Sequence, residues 1–411
     1  MACIIKSPSP TSKGVVTFTT QERDKFILKD ENLYAQIDKL KDKWIIGLHH
    51  NWHDYAFKYD SLFDFSMAGE EDLKEVNSSK FTLISQDACN FSPPSFSFNK
   101  QLKFWDVLYV ARAVYFKNIP EFFKIIRTLF DQGNYIRVLL IAPIPKSNNK
   151  ILKDKTTFYN IRDVYNEMFS TKEQDLFTLL TTDYRDPFPF DIQTVSHFYK
   201  SSRVFVHSAN NERRCRVAGY AWASGMPVVS LKDPASLLSK ECQKEPYLYL
   251  ADSYEEFPQK ILEAINFTKS DSYTKDSMMK AIIETSDTHS VHRLIKKLSS
   301  ILNDKEQNIL NHSNFNNLDL RLGRHFGLGN TTNSIGWSLK SFANYLQLHN
   351  TQEILSDLQE NDPERSITKY KQYGVFSSKS YYSTSIYSSF VELIILRIKR
   401  LLYPIKKKFF S

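Results

Sequence analysis

The stretch "FVHSANNERRCRVAGYAWASGMPVVS", Phe205–Ser230, decides the fold. It begins inside an apolar strand, "RVFVHSA" (203–209), and ends in a second, "PVVSL" (227–231), with a helical run, "CRVAGYAWAS", between them. Continuous apolar strands separated by a helix predict a parallel sheet covered on both faces. The joint after the first strand crowds Glu212, Arg213, Arg214 and Arg216 into the start of the helix, and Tyr220 follows on the helix itself. Glu212 suits the positive end of a helix dipole, whereas three arginines oppose it, which points to an anionic partner at this place.

The same alternation extends outward from this stretch. Upstream lie strands at "FWDVLYVARAV" (104–114), "YIRVLLIAPIP" (135–145) and "FTLLTTD" (177–183). Helical patterns fall between them at "NIPEFFKIIRTLF", "YNIRDVYNEMF" and "DIQTVSHFYKSS". Downstream, "YLYLAD" (247–252) is a last strand and "SYEEFPQKILEAI" a closing helix. Residues 1–100 are less regular, with candidate strands at "GVVTFTT" (14–20), "WIIGLHH" (44–50) and "FTLISQD" (81–87). The segment "CNFSPPSFSFNKQ" (89–101) reads as a crossover. Beyond Asn266 the pattern is helical through 274–303 and 331–349, and 361–389 is a Ser/Tyr/Lys-rich stretch of loose order.

Composition narrows the function classes. The chain has 411 residues, 42% of them hydrophobic, and a formal net charge of +8. Arg397, Lys399, Arg400 and the run Lys406–Lys408, against a lone Glu392, account for most of that charge. The rest is nearly neutral, so nucleic acid is not an expected partner. Cys3, Cys89, Cys215 and Cys242 form no metal-type or C-x-x-C spacing, which predicts a reducing, cytoplasmic setting. "MACIIKSPSPTSKG" has too short an apolar run for a secretory signal, and no run reaches the roughly 18 apolar residues of a spanning helix. The basic segment "SSFVELIILRIKRLLYPIKKKFF" (388–410) suits either an anionic membrane surface or a helix packed on the body.

In parallel α/β sheets, ligands meet the carboxyl ends of strands. Arg112 and Lys117 lie just past one strand end, His207 ends another, and Glu212–Arg216 follow it. Guanidinium forks and an ammonium suit a diphosphate, which helix N–H groups also hold. "HHNWHD" (49–54) ends a strand of the first part, where His49, His50 or His53 is placed to line the cleft, with His50 the catalytic candidate. Adjacent strand histidines point to opposite sides and no carboxylate or cysteine completes a ligand set, so no metal is expected there. "RLGRHFGLGNTTNS" (321–334) holds Gly323, Gly327 and Gly329 and reads as a tight turn or an anion loop.

The order of elements from 59 to 267 resembles the retaining nucleotide-sugar glycosyltransferases of the GT-B fold, group 1 (family 4). That family opens its second domain with Gly-Arg and a nearby Lys-Gly; here "VAR" and "FKN" keep Arg112 and Lys117 without the glycines. Its later motif, two glutamates with seven residues between them before Ala-x-Ala-x-Gly-x-Pro-Val-Val, is matched by Glu212 and by "AWASGMPVV" (221–229), with Tyr220 at the second glutamate. "RRCR" stands where the family has a glycine turn. "DSLFDFSMAGEEDLKE" (60–75) and "LISQDACNFSPPSF" (83–96) resemble the end of the first domain and its crossover.

The resemblance implies an α/β, GT-B-like chain with two Rossmann-like parallel-sheet domains and a helical C-terminal extension. The expected divisions are a shortened acceptor-side domain with the crossover (1–100), a donor domain (101–270), a helical extension (271–350), and a Ser/Tyr/Lys-rich segment with the basic amphipathic helix (351–411). It implies transfer of a sugar from a nucleotide-diphosphate sugar to a glycan or lipid-linked acceptor, with retention and no obligate metal or cofactor. Glu212 would orient the sugar, and Arg112, Lys117, His207, Arg213, Arg214, Arg216 and Tyr220 would bind the donor. The lost second glutamate also admits a catalytically silent paralogue that binds sugar phosphates or scaffolds a glycan-assembly complex.

Overall fold

The computed structural model describes residues 2–50, 60–69, 82–99, 101–144, 157–181, 191–209, 215–232, 242–315, 318, 322 and 339–348. These fall into two compact units. One lies within Met1–Ile46, Gln307–Asn316 and Arg324–Ser411, the other within Gly47–Glu306 and Asn317–Gly323. The glycine-bearing stretch 323–334 and the 388–410 segment lie outside the described residues.

The strands of the first sheet are β1 (Cys3–Lys6), β2 (Gly14–Thr19), β3 (Trp44–His49), β4 (Phe65–Ala68) and β5 (Thr82–Ser85), in the spatial order β1-β2-β3-β4-β5. From β3 onward the pairing is parallel. The β1–β2 edge pair is antiparallel, a feature that the expected all-parallel pattern did not include. Two strands were not anticipated, β1 and β4. Between β2 and β3 run α1 (Thr20–Lys25) and α2 (Glu31–Asp38). Helix α1 starts on a Thr19/Glu22 capping box: the Thr19 hydroxyl accepts from the Glu22 amide at 3.2 Å, and the Glu22 carboxylate accepts from the Thr19 amide at 2.8 Å.

The second sheet comprises β6 (Trp105–Val110), β7 (Val138–Ile141), β8 (Phe177–Leu180), β9 (Ser202–His207), β10 (Val228–Leu231) and β11 (Leu248–Ala251). Its order is β11-β10-β9-β6-β7-β8 and every recorded pairing is parallel. The connecting helices are α3 (Ile119–Asp131), α4 (Ile161–Met168), α5 (Thr171–Gln174), α6 (Ile192–Lys200), α7 (Arg216–Ala223) and α8 (Phe257–Lys269). The strand order starts in the middle, runs to one edge, returns and runs to the other. That is the doubly wound Rossmann arrangement, with its switch point between β6 and β9. Each strand and helix expected between 104 and 267 is present.

Burial explains why these elements form. All four residues of β7 are fully buried, and α3 sinks Ile119, Phe122, Phe123, Ile126 and Leu129 into the core. An aromatic cluster joins α3 and α4 to the sheet, with Phe169 4.9 Å and Tyr165 5.2 Å from the Phe177 ring. The chain then continues as α9 (Met279–Thr285), α10 (Asp287–Leu302), α11 (Glu306–Asn311) and α12 (Leu339–Leu348). Helix α12 packs beside α2, and Phe342 lies edge-on to Phe18 at 6.2 Å.

The motif "AWASGMPVV" has a physical reason. Gly225 has a φ of 75° and terminates α7. Its amide donates to the Trp222 carbonyl at 2.9 Å and the next amide, Met226, donates to Ala221 at 2.8 Å, the two bonds of a Schellman cap. A side chain here would also meet the Phe98 ring, 2.2 Å from the place of a Cβ. Glycine therefore satisfies both the turn and the close approach, and Pro227 leads directly into β10.

Candidate functional site

The switch point brings the end of β6 beside the end of β9. After β6 the backbone stays extended, with Ala111 donating to Ile141 at 3.0 Å and Ala113 to Pro143 at 2.9 Å, and Arg112 between them is exposed. Tyr115–Lys117 then form a 3-10 turn. Asn118 follows with φ 50° and ψ 42° and leads into α3. The resembled family carries glycine at that position. Asparagine is among the few other residues that enter the left-handed region readily, so the backbone turn survives the change of residue.

Lys117 is 7% exposed and its ammonium lies 5.5 Å from the Phe116 ring centroid. Its carbonyl oxygen accepts from the Tyr109 hydroxyl at 2.6 Å and from the Ser208 hydroxyl at 3.2 Å. Asn118 donates its side-chain amide to the Tyr254 hydroxyl at 2.6 Å, and that hydroxyl donates to the Ser208 carbonyl at 2.8 Å. Burial pushes the Tyr254 hydroxyl above its ordinary pKa, so it remains a donor. Three loops are thus tied together: the turn after β6, the exit of β9 and the turn before α8. Sequence reasoning passed over Ser208, Asn118 and Tyr254. Asn118 stood in the matched "FKN" motif, whereas Tyr254 lies 136 residues away from it and has no local signal.

The remaining predicted residues distribute as follows. His207, the last residue of β9, is fully buried, and its Nδ1 lies 3.3 Å from the Ser230 hydroxyl on β10. Cys215 precedes α7 as its N-cap residue and Arg216, half-buried, is the first helical residue. Glu212, Arg213 and Arg214 lie outside the described residues. Tyr220 is 4% exposed and stacks on Phe96 at 4.1 Å with 12° between the planes. Its ring forms part of the core beneath α7, where Tyr199 meets it edge-on at 6.1 Å. His49 is the last residue of β3, paired with Met67 of β4, and His50 follows it; they are 6% and 2% exposed, with the His50 amide bonded to Met67 at 2.9 Å. His53 lies outside the described residues.

The crossover is built against α7, α9 and α10. Asp87 accepts from the Cys89 amide at 2.7 Å, and Asn90 donates to the Glu284 carbonyl at 2.9 Å. Gln86 donates to Ser290 at 2.8 Å, and the Ser92 and Asp287 amides bond to Thr285 and Ser92 at 2.9 and 3.0 Å. Gly219 of α7 lies against this segment so closely that a Cβ would stand 2.5 Å from the Cys89 carbonyl oxygen. Full burial pushes the Asp87 carboxyl up to about 6 and the Cys89 thiol well above its ordinary value. Among the described residues, no group of three His, Cys, Asp or Glu side chains is placed to hold a metal ion, and no helix is long and apolar enough to cross a membrane.

No family model and no curated protein matches the sequence. Solved structures are similar in fold. The pneumococcal O-GlcNAc transferase GtfA, in complex with UDP and GlcNAc, is 9% identical with a TM-score of 0.44; the match covers 64% of this chain and 54% of that one. A glycosyltransferase from Rickettsia africae is 10% identical with a TM-score of 0.46, covering 67% and 81%. Trehalose 6-phosphate synthase from Burkholderia multivorans is 13% identical with a TM-score of 0.42, covering 64% and 66%. By its own topology this chain is α/β, with parallel strands in both sheets and the doubly wound Rossmann order in the second. It spans about half the length of the pneumococcal transferase.

Proposed function

We propose that the protein is a glycosyltransferase that takes a sugar from a nucleotide-diphosphate sugar and joins it to a glycan or lipid-linked acceptor, without an obligate metal. The observation that carries this reading is the switch point, where Arg112 precedes and Lys117 ends a turn fastened to β9 through Ser208 and Tyr254. Residues 101–270 form the donor half in this reading. Arg112 and Lys117 hold the diphosphate. Glu212 orients the sugar, and Arg213, Arg214 and Arg216 offset the charge that develops as the nucleoside diphosphate departs. His50 lines the acceptor side. The reaction takes place in the cytoplasm, with the 388–410 segment against the inner face of a membrane.

A second reading, a silent paralogue that binds sugar phosphates, is favoured by one observation: Tyr220 is stacked in the core where the resembled family has its second carboxylate. Thermal shift with a panel of millimolar nucleotide sugars, followed by assays of donor hydrolysis and transfer, separates the two. Stabilisation with turnover supports the transferase. Stabilisation without turnover, even with glycan acceptors, supports the silent protein. An unchanged melting midpoint with every nucleotide sugar removes the transferase.

A further inference from the structure

The amino-terminal edge of the six-stranded sheet lies opposite the ligand-facing edge and has its own character. Leu102 is 89%, Phe104 49% and Tyr135 64% exposed. The β6–β7 register sets Val107 opposite Val138, so Phe104 and Tyr135 both precede their strands at this edge, and the Tyr135 ring lies 5.8 Å from Phe130 of α3. Phe104 is held outward rather than left loose: Trp105 meets it edge-on at 4.7 Å, and the Arg137 guanidinium lies over its ring at 4.6 Å.

Cations surround these side chains. The Lys103 ammonium donates to the Lys200 carbonyl, at the end of α6, at 2.7 Å. Arg203 and Lys269 approach Asp106 at 3.3 and 3.8 Å. Lys103, Arg137, Lys200, Arg203 and Lys269 therefore share one edge, and Asp106 is the carboxylate that their recorded ion pairs use. Isolated apolar residues on a surface are ordinary, whereas a cluster rimmed by charge marks an interaction site.

The size of the cluster distinguishes between partners. Three side chains fall well short of the roughly 800 Å² that each partner of a stable protein complex buries. Shallow insertion at a lipid headgroup boundary needs only a few apolar and aromatic tips, with cations against the phosphates. We propose that this edge docks on an anionic lipid surface, with Leu102, Phe104 and Tyr135 entering the headgroup boundary and Arg137 and Lys269 against lipid phosphates. Docking in this way leaves the opposite, carboxyl edge of the sheet open to solvent.

Co-sedimentation of the full chain with vesicles tests this. Binding is expected to phosphatidylcholine vesicles that contain phosphatidylglycerol, and not to phosphatidylcholine alone, and it should weaken as salt is raised. The triple variant Leu102→Ser, Phe104→Ser, Tyr135→Ser should lower partitioning by at least about tenfold with little change in melting midpoint, because all three side chains are exposed. Arg137→Glu should lower it further for anionic vesicles. The proposal fails if the wild-type chain ignores anionic vesicles, binds neutral ones equally, or is matched by the triple variant. It also fails if sedimentation velocity shows self-association that the triple variant abolishes, since the edge is then an interface between two copies.

Discussion

The Ser208 hydroxyl donates to the carbonyl oxygen of Lys117 at 3.2 Å, so the exit of β9 holds the turn that presents the lysine. The two residues are 91 positions apart in the chain, yet the strand order makes their loops neighbours. A buried hydroxyl on this carbonyl stiffens the turn from a neighbouring strand.

Removing that tie should loosen donor binding more than it unfolds the protein. Ser208→Ala leaves the Lys117 carbonyl with Tyr109, so the expected stability loss is about 1 kcal/mol. Tyr254→Phe breaks bonds to Ser208 and Asn118 together and should cost more, roughly 1–3 kcal/mol. Urea unfolding reads the stability, and titration calorimetry with a stabilising nucleotide sugar reads the weakened affinity.

Substitution at Asn118 should follow backbone conformation rather than side-chain size. At φ 50°, Asn118→Gly should retain the turn at the cost of the bond to Tyr254. Asn118→Val forces a β-branched residue into the left-handed region and should destabilise by about 1–3 kcal/mol. Thermal denaturation ranks the two, and a more stable valine variant would contradict the argument.

For the diphosphate, Lys117→Ala and Arg112→Ala should each weaken nucleotide-sugar binding by about tenfold or more. Arg112→Lys should recover only part of the loss, because an ammonium cannot fork onto two oxygens. Calorimetry with UDP- and GDP-sugars measures this, and unaltered affinity in both alanine variants would remove these residues from the donor site.

Gly219→Ala should be destabilising in spite of the helical setting. A Cβ there would meet the backbone carbonyl of Cys89 at 2.5 Å, and a backbone cannot swing aside as a flexible side chain can. An overpacking cost of roughly 1–3 kcal/mol is expected. Chemical denaturation measures it, with Ala221→Gly as a helix-propensity control.

The crossover should make stability depend on pH. Burial raises the Asp87 carboxyl from 3.8 to about 6, so the folded state holds this proton more firmly than the unfolded chain does. The contribution is fully present below the unfolded value and is lost as pH rises through about 6, with an order of magnitude of roughly 3 kcal/mol. Asp287, also raised by burial, acts in the same direction. Unfolding free energies between pH 4 and pH 7 should therefore fall less steeply with rising pH in Asp87→Asn than in the wild-type chain.

Sequence alone determined the alternation of strands and helices from 104 to 267, because local apolar runs and periods report burial directly. It also placed Arg112, Lys117, His207 and Arg216 at strand ends or a helix start, since a strand's end is visible where its apolar run stops. Tertiary structure decided what those positions face. Tyr220 stands in the motif at a glutamate's place, yet its ring stacks on Phe96 of a crossover more than a hundred residues earlier. The fastening of Lys117 by Ser208 and Tyr254, and the antiparallel pairing of β1 with β2, depend equally on the packing of separate segments. Local pattern records how deeply a residue is buried; only the folded chain fixes which distant group it meets.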